Sequence, residues 1–110
     1  MEIGILNYDW GNYDKSLSYF DKALAMAKTY QLNNMEATAN NYIGKYYHTI
    51  GKFSTSVEYY QRSIAIHEQL GNLQQSASVL LSIGKTYMNE GNFHKALACY
   101  LDAYKKRRNY

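Results

Sequence analysis

Residues 80–103 of this 110-residue chain read LLSIGKTYMNEGNFHKALACYLDA, and both glycines of this stretch recur elsewhere. They belong to two series with a spacing of 40 residues, Gly4, Gly44 and Gly84, and Gly11, Gly51 and Gly91. Six of the seven glycines therefore follow one period. Self-similarity at a period of about 20–50 residues is the sequence signature of a repeat protein.

Other residue types follow the same period. Aromatic residues recur at Tyr13, Phe53 and Phe93 and at Phe20, Tyr60 and Tyr100, and small residues recur at Ser16, Ser56 and Ala96 and at Ala23, Ser63 and Ala103. Apolar residues occur at helical spacing on both sides of the second glycine of each unit, which predicts a helix pair per unit. Helices are expected near 2–10, 14–31, 35–50, 54–70, 74–90 and 94–108, with Asp14 and Ser54 as N-terminal caps.

The first glycine of each unit falls inside a predicted helix. Glycine there costs about 1 kcal/mol relative to alanine, so its recurrence calls for a structural reason. We predict that Gly44 and Gly84 allow close helix contact and that Tyr60 and Tyr100 fill the space beside them.

The repeated pattern resembles the tetratricopeptide repeat. The matching residues are Leu80, Ile83, Gly84, Tyr87, Gly91, Phe93, Ala96, Tyr100 and Ala103 in the third unit, Ile43, Gly44, Tyr47, Gly51, Phe53, Ser56, Tyr60 and Ser63 in the second, and Gly4, Gly11, Tyr13, Phe20 and Ala23 in the first. The common repeat has about 34 residues, so the period of 40 resembles the long-repeat subgroup of the family.

The resemblance implies an all-α fold, a right-handed superhelix (α-solenoid) of antiparallel helix pairs with about two and a half to three repeats. We predict a single domain over residues 1–110. Repeat 1 is assigned to 1–34 with a truncated first helix, repeat 2 to 35–73 and repeat 3 to 74–110.

Composition excludes several classes of protein. The mean hydropathy is −0.53 and no apolar run approaches the roughly 20 residues that a bilayer requires, so we expect a soluble chain with no membrane contact. The sequence does not identify the compartment, and a cytoplasmic location is the expectation. The net charge of +3 comes from four consecutive basic residues at 105–108, without which eight basic residues face nine acidic ones. We therefore interpret these four as a solvated helix end and expect no nucleic-acid partner.

Enzyme and metal signatures are missing from the sequence. His48, His67 and His94 occupy three different repeat positions without a second histidine or cysteine four residues on, so each is interpreted as a solvated or capping side chain. Cys99 is the only cysteine and is expected to be a half-buried structural thiol. We predict no catalytic residue, metal or cofactor.

The resemblance implies that peptides or partner segments bind along the first helix of each unit. The residues facing that groove are predicted to be Thr38, Asn41, Tyr42, Lys45, His48 and Thr49 in repeat 2, Ser78, Leu81, Ser82, Lys85, Met88 and Asn89 in repeat 3, and Ile5, Tyr8 and Asp9 in repeat 1. From these we select Asn41, Tyr42, Lys45, His48, Ser82, Lys85 and Asn89 as the ligand contacts.

Two of these contacts are equivalent by the period of 40. Lys45 and Lys85 are expected in adjacent columns of the groove, where they suit an acidic side chain or a C-terminal carboxylate. The alternative interpretation is that both are ordinary solvated lysines.

The sequence thus predicts a non-catalytic protein–protein interaction module, a segment of a larger adaptor, sensor or regulator protein. The alternative is a structural segment that self-associates through uncapped end helices, giving a homo-oligomer. It rests on Leu97, Leu101 and Tyr104, which no later helix covers in the sequence given.

Overall fold

The computed structural model describes residues 13–108, which form five helices and no strand. The helices are α1 (Tyr13–Thr29), α2 (Asn33–Thr49), α3 (Phe53–Gln69), α4 (Leu73–Glu90) and α5 (Phe93–Arg108). Each packs against the next in the chain in antiparallel fashion. The predicted helices over this range are confirmed with ends shifted by one or two residues, and the one expected near 2–10 lies outside the described residues.

Helices α1 to α4 all end in the same kind of turn. The residue with a positive φ angle lies at 20-residue intervals, at Gln31 (55°), Gly51 (82°), Gly71 (75°) and Gly91 (89°). The N–H of the following residue donates to a carbonyl five positions back, as from Asn92 to the Tyr87 oxygen at 2.8 Å. This left-handed turn satisfies the last carbonyls of the helix. The period of 40 therefore consists of two geometrically similar halves.

The predicted N-terminal cap at Ser54 is wrong. Helix α3 begins at Phe53 and its N-cap is Lys52, which makes no side-chain capping bond, because the short turn starts the helix one residue early. Asp14 also lies inside a helix, one residue after the start of α1. Before α5, however, the side chain of Asn92 accepts a hydrogen bond from the Lys95 N–H at 3.3 Å and acts as a cap.

The glycines inside helices lie directly under tyrosine rings. A Cβ atom on Gly44 would lie 2.7 Å from Cδ1 of Tyr60, and one on Gly84 would lie 2.8 Å from Cε1 of Tyr100. Both distances are far shorter than van der Waals contact between carbon atoms. The predicted close approach within each helix pair is confirmed.

Small residues at the repeated positions are buried. Ser16, Ser56, Ala96, Ala23, Ser63 and Ala103 are all less than 9% exposed. In the second helix pair the serines also bond across it, from Ser56 Oγ to the Gly44 oxygen at 2.7 Å and from Ser63 Oγ to the Ala37 oxygen at 2.8 Å. Between pairs, α3 and α4 share an apolar cluster of Val57, Tyr60, Val79 and Ile83. Close packing thus continues from one helix pair into the next.

The outer face and the basic end of α5 differ in their surroundings. Phe93, Leu97, Leu101 and Tyr104 are 51–63% exposed along one stripe. Lys106 is not simply solvated, since its Nζ lies 2.6 Å from Oε1 of Glu68 on α3 and 3.1 Å from Oγ of Ser76 on α4. None of the described helices has the length and apolar character needed to cross a membrane.

Candidate functional site

Helices α2 and α4 lie side by side and share an accessible surface, called the α2–α4 surface below. Side chains at both ends of the helices meet across it. At one end His48 contacts Thr86 and Asn89, and at the other the Asn72 amide, just before α4, donates to Asn34 Oδ1 at 3.1 Å. The two helices belong to predicted repeats 2 and 3, so this surface is the expected groove.

One cavity on this surface is basic. It has a volume of about 150 Å³ and is lined by Lys45 and His48 from α2, Tyr60 from α3, and Ser82 and Lys85 from α4. We call it the lysine cavity. No carboxylate among the described residues lines it, so the charged groups of its described lining are two cations from adjacent repeats, which suits an anionic group.

A second cavity on the surface is larger and richer in amides. It has a volume of about 630 Å³ and is lined by Thr38, Asn41, Tyr42, His67, Gln74, Gln75, Ser78, Val79 and Arg107. We call it the amide cavity. Asn41 Oδ1 is buried and has no hydrogen-bond partner among the described residues, which is uncommon for a buried acceptor. The lining offers both donors and acceptors to a polar ligand.

The two cavities are joined by a stacked group of side chains. The rings of Phe20 and Tyr42 stack with centroids 5.2 Å apart, and Lys45 Nζ lies 4.9 Å from the centroid of the Tyr42 ring. The tyrosine lines the amide cavity and the lysine lines the lysine cavity. This cation–π contact therefore positions a cation at the boundary between the two cavities.

His48 makes hydrogen bonds through both ring nitrogens. Its Nδ1 lies 2.7 Å from Thr86 Oγ1, and its Nε2 lies 2.8 Å from Asn89 Nδ2. The single hydroxyl proton of Thr86 is donated to the Ser82 carbonyl at 2.9 Å, so the threonine oxygen accepts from Nδ1–H. Nε2 must then accept from the Asn89 amide, which assigns the neutral Nδ1–H tautomer to His48.

The environment of His48 disfavours its charged form. Desolvation by burial, followed by the nearby charge of Lys85, lowers the pKa of His48 from its usual value of 6.5. Both effects penalise a second proton on the ring. The neutral tautomer required by the hydrogen bonds is thus also favoured by the electrostatics.

The structure brings the seven selected residues onto one surface. Four line the lysine cavity, namely Lys45, His48, Ser82 and Lys85, and two line the amide cavity, namely Asn41 and Tyr42. Asn89 lies beside them as a hydrogen-bond partner of His48. The positions expected in repeat 1, Ile5, Tyr8 and Asp9, lie outside the described residues.

The histidines do not all fit the sequence-based interpretation. His94 is exposed, but His67 is 7% exposed and lines the amide cavity, because the C-terminal turn of α3 is covered by the neighbouring helices. Cys99 is half-buried as expected, and burial together with the charge of Asp102 raises its thiol pKa. The described residues contain no group of three or more His, Cys, Asp or Glu side chains able to hold a metal ion.

Sequence reasoning missed several residues of the site, including Thr86, Gln74, Gln75 and Arg107. A signal in the sequence could have identified Thr86. Hydrogen bonds between α2 and α4 join residues 38 or 41 positions apart, close to the repeat period of 40. Polar pairs at these separations are candidates for contacts between neighbouring repeats.

Solved structures with the same architecture support the assignment of the fold. The tetratricopeptide domain of Arabidopsis FLU has a TM-score of 0.89 at 18% identity, over 99% of this chain and 92% of that one. A Rap protein, solved in complex with competence and sporulation factor, has a TM-score of 0.83 at 26% identity, over 91% of this chain and 28% of that one. BtubC from P. vanneervenii has a TM-score of 0.66 at 19% identity, over 97% of this chain and 61% of that one.

The stacked helix pairs and their shared surface define a helical-repeat protein. The tetratricopeptide-repeat family profile matches residues 1–69, and a second profile of the same family matches residues 77–110. The chain belongs to the tetratricopeptide repeat family, whose members are protein-interaction modules. No curated protein matches it in sequence.

Proposed function

We propose that this chain is a non-catalytic module that binds a peptide or a partner segment across the α2–α4 surface. The observation that carries the proposal is the placement of polar side chains from two repeats around two neighbouring cavities. Hydrogen-bonding groups at such a surface match the main chain of an extended ligand, and the lysines select for acidic groups. The Rap protein, solved with a bound factor, supports this use of the fold.

The two cavities suggest how a ligand is oriented. The lysine cavity takes an acidic side chain or a C-terminal carboxylate, held by Lys45 and Lys85. The amide cavity takes an uncharged part of the ligand, contacted by Asn41 and Tyr42. The remaining contacts are His48, Ser82 and Asn89. The division into repeats at 35–73 and 74–110, with the whole chain as one domain, is part of the same proposal.

A displayed library of random peptides tests this function. Peptides selected on the wild-type chain are expected to be enriched in acidic residues, and their affinities are then measured by calorimetry. The double variant Lys45→Glu/Lys85→Glu should bind them about tenfold or more weakly, because both cations of the cavity become anions.

The matched control reverses the same number of charges elsewhere. Lys28 and Lys105 are exposed and line neither cavity, so Lys28→Glu/Lys105→Glu should retain wild-type affinity. Selected peptides that bind the cavity variant and the wild type equally well would contradict the proposed site. A library that yields no enriched peptide would contradict the function.

A second candidate function is self-association, which the exposed apolar stripe of α5 favours. Leu97 and Leu101 are 58% and 51% exposed, whereas Val57, the residue equivalent to Leu97 in the preceding repeat, is 8% exposed under α4. A second copy of the chain covering this stripe would bury it in the same manner. Light scattering should then show a dimer or larger species at micromolar concentration.

The substitution Leu101→Glu separates this candidate from the main proposal. A charge at Leu101, which is exposed, should abolish association while circular dichroism shows an unchanged helical monomer. A wild-type chain that is strictly monomeric would exclude self-association, and the proposal of peptide binding would still stand.

A further inference from the structure

We propose that the lysine cavity binds a compact anion and that this binding is coupled to uptake of a proton by His48. The inference deepens the proposed function, since the anion would be a charged group of the bound ligand. The shared chemistry is an oxyanion, supplied either by a carboxylate or by a phosphorylated side chain. The consequence is a groove whose affinity for acidic ligands increases as the pH falls.

The first step of the argument concerns the free protein. In the Nδ1–H tautomer, Nε2 accepts the Asn89 amide proton, and Nδ1–H is donated to the fully buried Thr86 hydroxyl. A second proton on the ring would require Asn89 to turn its amide so that oxygen, rather than nitrogen, faces Nε2. Asn89 is exposed, so its amide has room to turn, but no carboxylate among the described lining of the cavity favours this rotation.

The second step concerns the charges that face His48. Lys45 lies on the same helix as His48, and Lys85 on α4 and Tyr60 on α3 line the same cavity. The centroid of the Phe53 ring, also on α3, lies 5.6 Å from that of the imidazole. None of these described groups is an anion at neutral pH. The charge of Lys85 disfavours a charged imidazole, whereas an anion bound beside it offsets that repulsion.

The third step follows from linkage. If an anion raises the pKa of His48, then the protonated chain must bind the anion more tightly than the neutral chain by the same factor. The pKa of His48 in the free chain lies below 6.5. Anion affinity is therefore lowest well above that value, and it rises as the pH falls through the histidine pKa of the bound and then of the free chain.

Nuclear magnetic resonance of the histidine side chains tests the coupling directly. The pKa values of His48 and His94 are measured on the full chain in sodium sulfate and in sodium chloride of equal ionic strength. Sulfate does not titrate in this range. We expect it to raise the His48 pKa by about half a unit or more, which corresponds to about threefold tighter binding by the protonated form. His94, which is exposed, should respond equally to both salts.

The substitution Lys85→Met tests whether the anion acts in this cavity. Removing this charge should raise the His48 pKa in chloride, because the charge of Lys85 contributes to its low value, and should abolish the response to sulfate. Lys105→Met changes the charge equally but lies outside the cavity, so it should behave as wild type. A second variant, His48→Gln, should bind sulfate with an affinity that no longer changes between acidic and neutral pH.

Two further comparisons complete the test. Sodium acetate and phenyl phosphate distinguish a carboxylate from a phosphate ester when the affinity of the chain for each is compared at about pH 7.5, where both are ionised, because the preferred source binds more tightly. A His48 pKa that moves no more than that of His94 between chloride and sulfate overturns the inference. That outcome would not affect the peptide selections, so the two proposals fail independently.

Discussion

A methyl group on Gly84 would come within 2.8 Å of the Tyr100 ring, so the Tyr100 side chain of α5 packs directly against the backbone of α4. The same relationship holds between Gly44 and Tyr60 one repeat earlier. The recurrence explains why a residue that disfavours helices occupies a helical position twice among the described residues.

Replacing Gly84 with alanine should therefore destabilise the chain, although alanine is the better helix former. The gain in helix propensity is about 1 kcal/mol, whereas overpacking against the Tyr100 ring typically costs about 1–3 kcal/mol. Urea unfolding of Gly84→Ala measures the net loss. In the background of Tyr100→Leu the same substitution should become neutral or stabilising, and equal losses in both backgrounds would rule out the ring contact as the cause.

Gln31→Gly should stabilise the chain. Gln31 adopts a φ angle of 55° at the turn position that glycine occupies at the three following turns, and this conformation costs a non-glycine residue about 1 kcal/mol. An increase in the melting temperature by calorimetry is the expected result. The matched variant Gly71→Gln should lower it, since Gly71 has a φ angle of 75°. A lower melting temperature for Gln31→Gly would contradict this account of the turn.

Much of the architecture was predictable from the sequence because the residue type at each repeated position is explained by its local role in a turn or a helix contact. Glycine at the turns, small residues at the helix contacts and the pairing of Gly44 with Tyr60 all follow from a period of 40 combined with helical spacing. The site was predictable only in outline. That Lys45 and Lys85 line one cavity followed from their equivalence in the repeat.

The hydrogen-bond network of the site was not predictable. Whether His48 meets Thr86 depends on how far α4 is displaced along α2, a distance set by the packing of all the intervening side chains. Gln31 was also missed as a left-handed turn residue, because neither its side chain nor its neighbours carry the glycine signal. Such features depend on the assembled solenoid rather than on local propensity.

Stability should decrease as the solution becomes acidic. Burial lowers the pKa of His67 from 6.5, so the unfolded chain binds a proton more readily than the folded chain. The free energy of unfolding therefore falls as the pH drops from about 6.5 toward the folded-state pKa, by at most about 1.4 kcal/mol per pH unit for each such histidine. Urea unfolding at several pH values measures the slope.

Substitutions of two histidines test the origin of this slope. His67→Gln should reduce it, and His48→Gln should reduce it for the same reason, because the pKa of His48 is also lowered by burial. A slope unaffected by His67→Gln would show that this side chain is as easily protonated in the folded chain as in the unfolded one.

Removal of Lys106 should have a modest, salt-sensitive effect. Its Nζ contacts both Glu68 and Ser76, but the lysine and glutamate side chains are 27% and 48% exposed. Partly exposed ion pairs contribute about 0.2–1 kcal/mol, and less in high salt. Lys106→Met should lower the free energy of unfolding within this range at low salt, and Lys105→Met should not. An effect of Lys106→Met that persists in molar salt would indicate lost packing rather than lost charge.

The contact between glycine backbone and tyrosine ring also determines where the array is able to deform. Within a helix pair the spacing is set by a glycine that has no side chain to move and by a tyrosine ring packed directly against its backbone. Between α3 and α4 the contacts are made by side chains of both helices, such as Val57 and Ile83, and small shifts of one packed helix past another take place at contacts of this kind. The hydrogen bonds of His48 cross this joint, and a ligand bound as proposed on the α2–α4 surface would also span it and hold the two helix pairs at one relative orientation.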